Sequence, residues 1–269
     1  MELLREWANW KSNGAPFVLE SDRADLSPAI SAGIAVTIRN WPDAYQAPDF
    51  CKPGDHRLHL GLLPQPFLGD LRRASIYVLL LNPGLSPRDY YGEDRVGEYR
   101  KALVANLRQE FKRGSLPFLF LDPQYSWHSG FSWWHGKLAG VISCLSDVWA
   151  VSFAEARAWL ARELASIELV PYHSPSFRDS GDWVKKLRSV ALARALVHNV
   201  VVPRVRRGEA IVIVTRRARD WNMREGDFSK RESSKIVIYN EQEARAAHLS
   251  PKSRGGKAIL RHLARKYQR

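Results

Sequence analysis

The feature that most constrains the fold is the run Ile76-Tyr77-Val78-Leu79-Leu80-Leu81, six apolar residues that stop at Asn82-Pro83-Gly84. No polar residue interrupts it, so a strand built from it must be covered on both faces, as central strands of parallel sheets are. From there onward, short apolar runs alternate with helical patterns. Strands are expected at 76–81, 117–121, 167–171, 210–215 and 235–239. Helices are expected at about 94–112, 133–146, 152–165, 183–206 and 254–268. This alternation predicts an α/β fold with three layers, α/β/α, around a mainly parallel sheet of four to five strands.

Residues 1–55 read as an N-terminal helical extension and residues 56–269 as the main domain. Within the extension a helix is expected over Leu3–Trp10, then a turn at Ser12-Asn13-Gly14-Ala15-Pro16. A second helix runs from Leu26-Ser27-Pro28 to about Asn40 and ends at Trp41-Pro42-Asp43. A proline-rich approach, Gly61 to Asp70, leads into the first strand.

Pro83 fixes its own φ and biases Asn82 towards an extended conformation, while Gly84 permits φ above zero or a close approach. A polar side chain is thus held at the carboxyl end of a central strand, where open α/β sheets take their ligands. Two readings stand: a strand-ending turn, or a catalytic platform. Other expected strand ends also carry polar or ring-bearing residues. Leu121 is followed by Asp122 and Tyr125, then by Trp127, His128, Phe131, Trp133 and Trp134. The third strand contains Glu168 and leads into Tyr172-His173-Ser174-Pro175.

The net charge of +13 is one-sided. Residues 1–135 hold 15 Lys and Arg against 15 Asp and Glu, whereas residues 136–269 hold 26 against 13. Charge gathered in one half points to a polyanionic partner, most simply nucleic acid. No apolar run approaches the roughly 20 residues that span a bilayer, and the N-terminus carries no basic-then-apolar leader. Cys51 and Cys144 are too few for a four-thiolate cluster and do not suggest a disulfide scaffold. A reducing cytoplasm fits this usage, and neither a membrane nor an obligate protein partner is expected.

The basic half ends in Ala247-His248-Leu249-Ser250-Pro251-Lys252-Ser253-Arg254-Gly255-Gly256, opening into the last helix. Ser250, Ser253 and the N–H groups of a helix N-terminus suit phosphate oxygens, and Lys252 and Arg254 supply charge. A histidine on such a loop can donate to a developing anion. The aromatic cluster at 125–134 reads either as packing or as a platform for unpaired bases.

Taken in order, the Asn82-Pro83-Gly84 turn and the His248-Leu249-Ser250-Pro251 loop resemble the two active-site motifs of the uracil-DNA glycosylase superfamily. Leu81-Asn82-Pro83-Gly84-Leu85-Ser86 is similar to the first motif of its mismatch-specific branch. The pairing with a His-containing second motif is closer to the single-strand-selective monofunctional branch. The resemblance spans roughly residues 60–268 in organisation, with motifs of four to six residues. It implies a monofunctional enzyme that flips a base, hydrolyses its glycosidic bond and leaves an abasic site. This glycosylase reading expects neither a metal nor an organic cofactor. It gives Asn82 the attacking water, His248 the charge on the departing base, and Ser250 and Ser253 the phosphates. A residue after Leu249 would fill the gap left in the duplex. Tyr125, Phe131, Trp133, Tyr172 and His173 are candidate walls of a base pocket.

Two departures bear on the substrate. Leu249 stands where the family usually has proline. If Pro171 marks the equivalent turn, Glu168 stands where uracil-specific members place the asparagine that reads uracil. An ionised Glu only accepts hydrogen bonds, which suits the exocyclic amine of cytosine and repels the O4 of uracil. The expected substrate is therefore a modified cytosine, hydroxymethylated or glucosylated, in phage DNA, a role that defence members of the family resemble. Cytosine is the poorer leaving group, and Asp89 and Asp122 are candidate acids. Repair of uracil or a mismatched base, or a non-catalytic nucleic-acid-binding module, are the alternatives.

Overall fold

The computed structural model describes residues 2–11, 14–52, 54–177 and 183–267. In chain order the chain forms helices α1 (Glu2–Ala8) and α2 (Arg23–Ser31), strand β1 (Ala35–Val36), helix α3 (Trp41–Gln46), and strands β2 (Leu58–His59), β3 (Phe67–Leu68) and β4 (Ile76–Leu80). Helices α4 (Pro87–Arg95), α5 (Gly97–Arg108), α6 (Ser129–Trp149) and α7 (Phe153–Glu163) precede β5 (Leu164–Glu168). Next come α8 (Trp183–Lys186), α9 (Arg188–Leu196), α10 (Val202–Arg206), β6 (Ile211–Val214), α11 (Lys230–Ser233) and β7 (Ile236–Ile238). Helices α12 (Glu241–Ala246) and α13 (Arg254–Tyr267) complete the order.

The larger sheet has strand order β3-β5-β4-β6-β7. Strand β4 pairs in parallel with β6, Ile76 opposite Ile211, and β6 in parallel with β7, Val212 opposite Ile236. Every residue of β4, β5, β6 and β7 is buried, as a sheet covered by helices on both faces requires. The class is therefore α/β, of the three-layer α/β/α type, with the five-stranded, mostly parallel sheet that the alternation anticipates.

Several boundaries differ from those the sequence suggests. Residues 117–121 form no strand: Leu119–Leu121 is a turn of 3-10 helix. Its buried side chains pack with α6, and the ring of Phe118 meets Trp134 edge-on at 4.8 Å. A short apolar run between Pro117 and the Asp122-Pro123 stop fits either element, and periodicity does not separate them. The third strand is Leu164–Glu168 rather than 167–171, because it follows α7 with no connecting turn. The helix expected at 94–112 is α5, Gly97–Arg108, and a separate helix, α4, precedes it across Val96; α4 starts at Pro87, where Ser86 and Asp89 form a capping box. Helix α2 ends at Ser31 with Pro28 inside it. Asn40 begins α3 rather than ending α2, accepting the Asp43 N–H at 2.8 Å. The pattern at 183–206 is interrupted by a π-turn over Val197–Val201 just before Pro203, which has no N–H to continue the ladder. The expected turn at Ser12-Asn13 and the end of the last helix at Gln268 lie outside the described residues.

The chain forms two compact units. The first comprises residues 1–67, 81–110 and 168–196, so the N-terminal segment packs within a larger body; α1 lies against α5 and α9. A buried polar cluster pins that segment. Asp22 is fully buried, and its Oδ2 accepts from the Tyr172 hydroxyl at 2.6 Å while Oδ1 accepts from the Ser189 N–H at 3.0 Å. A second buried cluster joins the start of β2 to α4. The Arg57 guanidinium grips Asp55 through two bonds of 3.0 Å, and His59 Nδ1 meets the Tyr90 hydroxyl at 3.0 Å. Burial holds the His59 imidazole down at about 4, so this ring is neutral near pH 7.

The second unit comprises residues 68–80, 111–167 and 197–269, and holds β4, β6 and β7 with α6, α7, α10 and α13. In it α13 packs on β6, β7 and α6. The carbonyls at the end of β4 are satisfied there: Leu79 O accepts from Thr215 Oγ1 at 2.9 Å and Leu80 O from the Trp221 indole at 3.2 Å.

The Asp22 cluster gives a stability prediction for the first unit. Tyr172→Phe removes the donor from a buried carboxylate, a loss of about 1.5–3 kcal/mol. Urea unfolding of the variant should show a fall in that range. An unchanged midpoint would mean that the phenol does not anchor residues 1–55.

Candidate functional site: a fixed asparagine and a basic loop

In the first unit, the residues after β4 are shaped by residues 172–174. Gly84 has φ +73°, and nothing lies within 4 Å of where a Cβ would stand. It is therefore the left-handed backbone, not crowding, that calls for glycine. The Gly84 carbonyl faces His173 Nδ1 at 2.8 Å, and Leu63 O faces Nε2 of the same ring at 3.1 Å. A neutral imidazole donates from only one nitrogen, so both bonds are made together only by the doubly protonated ring. Either way, His173 ties the turn to the segment before β3.

Asn82 is half-buried, and its amide has one defined orientation. Nδ2 donates to Ser174 Oγ at 3.0 Å and, more weakly, to the Tyr172 carbonyl at 3.4 Å. A carbonyl can only accept, so the amide nitrogen must be the atom on that side. The amide oxygen is thereby turned away, and among the described residues no donor reaches it. An acceptor held this way can take a hydrogen bond from water and fix where that water's lone pair points.

Of the other residues singled out in this unit, Glu168 ends β5 with a buried side chain, and its N–H donates to Pro66 O at 2.9 Å. Tyr172 and His173 were expected as pocket walls. Both are 1 % exposed and hydrogen-bonded internally, and burial, reinforced by Asp22, pushes the Tyr172 phenol well above its usual range. What this segment brings to Asn82 is a backbone carbonyl and the Ser174 hydroxyl. Asp89 is buried in the capping box of α4, its Oδ2 accepting from the Ser86 N–H at 2.7 Å and from the Ser86 hydroxyl at 3.0 Å.

In the second unit, the His248 loop is gathered against α6. Tyr239, just after β7, donates its hydroxyl to the His248 carbonyl, and Lys137 of α6 donates to Ala246 O. Gly140, one turn further along α6, faces Pro251: a Cβ there would come within 2.8 Å of the proline ring. Leu249 is buried as the loop's anchor, while the His248 side chain is exposed and hydrogen-bonds to no described residue. Trp133 stands one turn before Lys137, 39 % exposed, with the ammonium 5.0 Å from its ring centroid. Burial, aided by Arg216 beyond the end of β6, holds the Lys137 ammonium below its usual value. Exposed Trp133 and the His248 loop thus share one basic face of this unit.

The phosphate-binding expectation divides. Lys252 is exposed and makes no ion pair among the described residues, and Ser250 Oγ has no partner there. Ser253 instead caps α13, donating to Ser250 O at 2.8 Å and accepting the Gly256 N–H at 3.0 Å. Arg254 is held by Glu225 at 2.9 Å and Glu243 at 3.2 Å. Among the remaining rings, Tyr125 is buried and Phe131 stacks on His135 at 5.4 Å. Asp122 caps a 3-10 turn through the Gln124 N–H and side-chain amide. Ser174, Lys137 and Arg216 were not singled out from sequence. The spacing of Trp133 and Lys137, four apart on one helix, was the available sign for one of them.

Among the described residues, no cluster of three or more His, Cys, Asp or Glu could hold a metal ion, and both cysteines are free thiols. No family model matches this chain, and searches of curated proteins and of solved structures likewise return no match.

The contact between α6 and the loop is testable by stability. In an exposed helix interior, Gly→Ala normally stabilises by about 1 kcal/mol. Gly140→Ala should instead lower the melting temperature, because overpacking against Pro251 costs about 1–3 kcal/mol. A raised melting temperature would refute the contact.

Proposed function

We propose that this protein is a monofunctional DNA glycosylase. The observation that carries the reading is the Asn82 amide, its nitrogen taken by Ser174 and Tyr172 and its oxygen left to orient water. In the reaction, water bonds to C1′ of a flipped nucleotide as the bond from C1′ to the base nitrogen breaks. The electron pair leaves with the base, and the proton lost by water ends on the departing base or in solvent. The products are an abasic sugar and the free base. Asn82 accepts a hydrogen bond from the water and favours its attack over its diffusion. The transition state resembles an oxocarbenium ion beside an anionic base, so a donor for that base is needed, a role that the family resemblance alone gives to His248. Asp89 and Asp122 are given no chemical step, since both carboxylates serve as caps.

The basic and aromatic face of the second unit would carry the DNA. Lys252, Ser250 and Arg216 suit phosphates, and Trp133 offers an exposed ring for an unpaired base. Glu168 keeps its assignment as reader of the exocyclic amine, which makes a modified cytosine the proposed target. Foreign DNA carrying such bases, as in phage, is the proposed setting. A second reading, a nucleic-acid-binding module without catalysis, is favoured by that same basic face.

The experiment is an excision panel: DNA containing uracil, a thymine mismatch, 5-hydroxymethylcytosine or its glucosylated form, scored for released base and alkali-labile breaks. Abasic sites at modified cytosine support the full proposal, and cleavage at uracil alone overturns the role of Glu168. Salt-sensitive binding with no abasic sites on any substrate establishes the binding module instead. Ser174→Ala frees one side of the Asn82 amide and should slow single-turnover excision by about tenfold, with DNA affinity unchanged, for loss of one hydrogen bond. An unaltered rate would argue against the amide clamp.

A further inference from the structure

Unit two holds a second cationic feature at the opposite edge of its strands from the His248 loop. A pocket of about 420 Å³ opens where β6 and β7 begin, lined by Ile211 and Lys235 and by Arg261, His262 and Arg265 of α13. Lys235, Arg261 and Arg265 make no ion pair among the described residues. The other charges of the pocket are already matched: Lys266 lies 2.6 Å from Glu163, and Glu209 is held by Arg207 and by Arg204 at 3.5 Å. His262 Nε2 is buried and has no hydrogen-bond partner among the described residues.

Three unmatched cations beside an unsatisfied imidazole are costly to gather. Arg261 and Arg265 stand four apart on one helix face, where like charges repel. Placement at the negative end of the α13 dipole offsets some of that for Arg265. It accounts for neither Lys235, which comes from another element, nor the bare His262 nitrogen. An anion with several oxygens would satisfy all four groups at once, and guanidinium forks grip phosphate oxygens in pairs. Ile211 and Ala258 add a small apolar wall.

We propose that this pocket binds a small polyphosphate anion, the chemistry shared by inorganic tripolyphosphate and the phosphate chain of a nucleoside triphosphate. Lys235, Arg261 and Arg265 hold the phosphoryl oxygens, and His262 donates from Nε2. The site is independent of the glycosylase reading and stands or falls without it.

The test uses the full chain and isothermal titration with tripolyphosphate, a nucleoside triphosphate and the matching nucleoside. One saturable site for both phosphates and none for the nucleoside is expected; stronger binding of the nucleotide would make it the source, and equal binding the free polyphosphate. The double variant R261A/R265A, whose changes are on exposed side chains, should weaken binding by about a hundredfold. K235Q, on a different element, should also weaken it. K257Q, on the same exposed stripe of α13 but outside the pocket, should leave it unchanged. Burial now holds His262 down at about 4, opposed by Glu163 and reinforced by Lys266, Lys235 and Arg265. A bound polyanion should raise that titration, read from the imidazole NMR signals. No saturable binding, equal loss in K257Q, or variants that impair only duplex DNA binding would each overturn the proposal.

Discussion

One hydrogen-bonding constraint organises the turn after β4: the Tyr172 carbonyl can only accept, so Asn82 presents its amide nitrogen to it and donates to the Ser174 hydroxyl from the same atom. The orientation of the oxygen follows without further assumption. Around it, the backbone is held from two directions. His173 bonds the Gly84 and Leu63 carbonyls, and the Tyr172 phenol is locked onto Asp22. The segment 172–174 therefore links the N-terminal helices, the approach to β3 and the turn after β4 within one unit. A residue placed to orient water needs such rigidity, because loss of alignment is paid directly in rate.

The second unit solves a different problem. Its strands are buried throughout, so its charge resides on loops and on helices, α7, α10, α11 and α13 among them. There the cations fall into two kinds. Arg254 and Lys266 are neutralised by neighbouring carboxylates and serve the fold. Among the described residues Lys252, Arg261 and Arg265 are not, and they lie on separate surfaces, at the loop and at the far end of α13. The one-sided charge of the sequence thus divides between cations held in structural ion pairs and cations that make no ion pair among the described residues.

The sheet was legible because its central strands are apolar on both faces, and β4, β6 and β7 fall close to where that pattern puts them. Helix α4, which starts from a capping box at Ser86, was not, and the π-turn before Pro203 interrupts a pattern that looks continuous. The run at 117–121 misled because burial without alternation fits a 3-10 turn as well as a strand. At the site, Asn82 and Gly84 were visible through turn chemistry, and Gly84 does adopt positive φ. The functions of Tyr172, His173 and Arg254 were not visible, because each depends on a distant partner: Asp22, Leu63 and Glu225 respectively. Ser174, visible in the same run, drew no role for the same reason: its partner is Asn82.

The central claim is that the Asn82 amide oxygen orients the attacking water. Its most direct measurement is single-turnover excision by Asn82→Ala at saturating enzyme, on whichever base the wild type removes, alongside DNA affinity. The account predicts a rate reduced by about a hundredfold or more with affinity nearly intact. A rate close to wild type, or a parallel loss of rate and affinity, would contradict it.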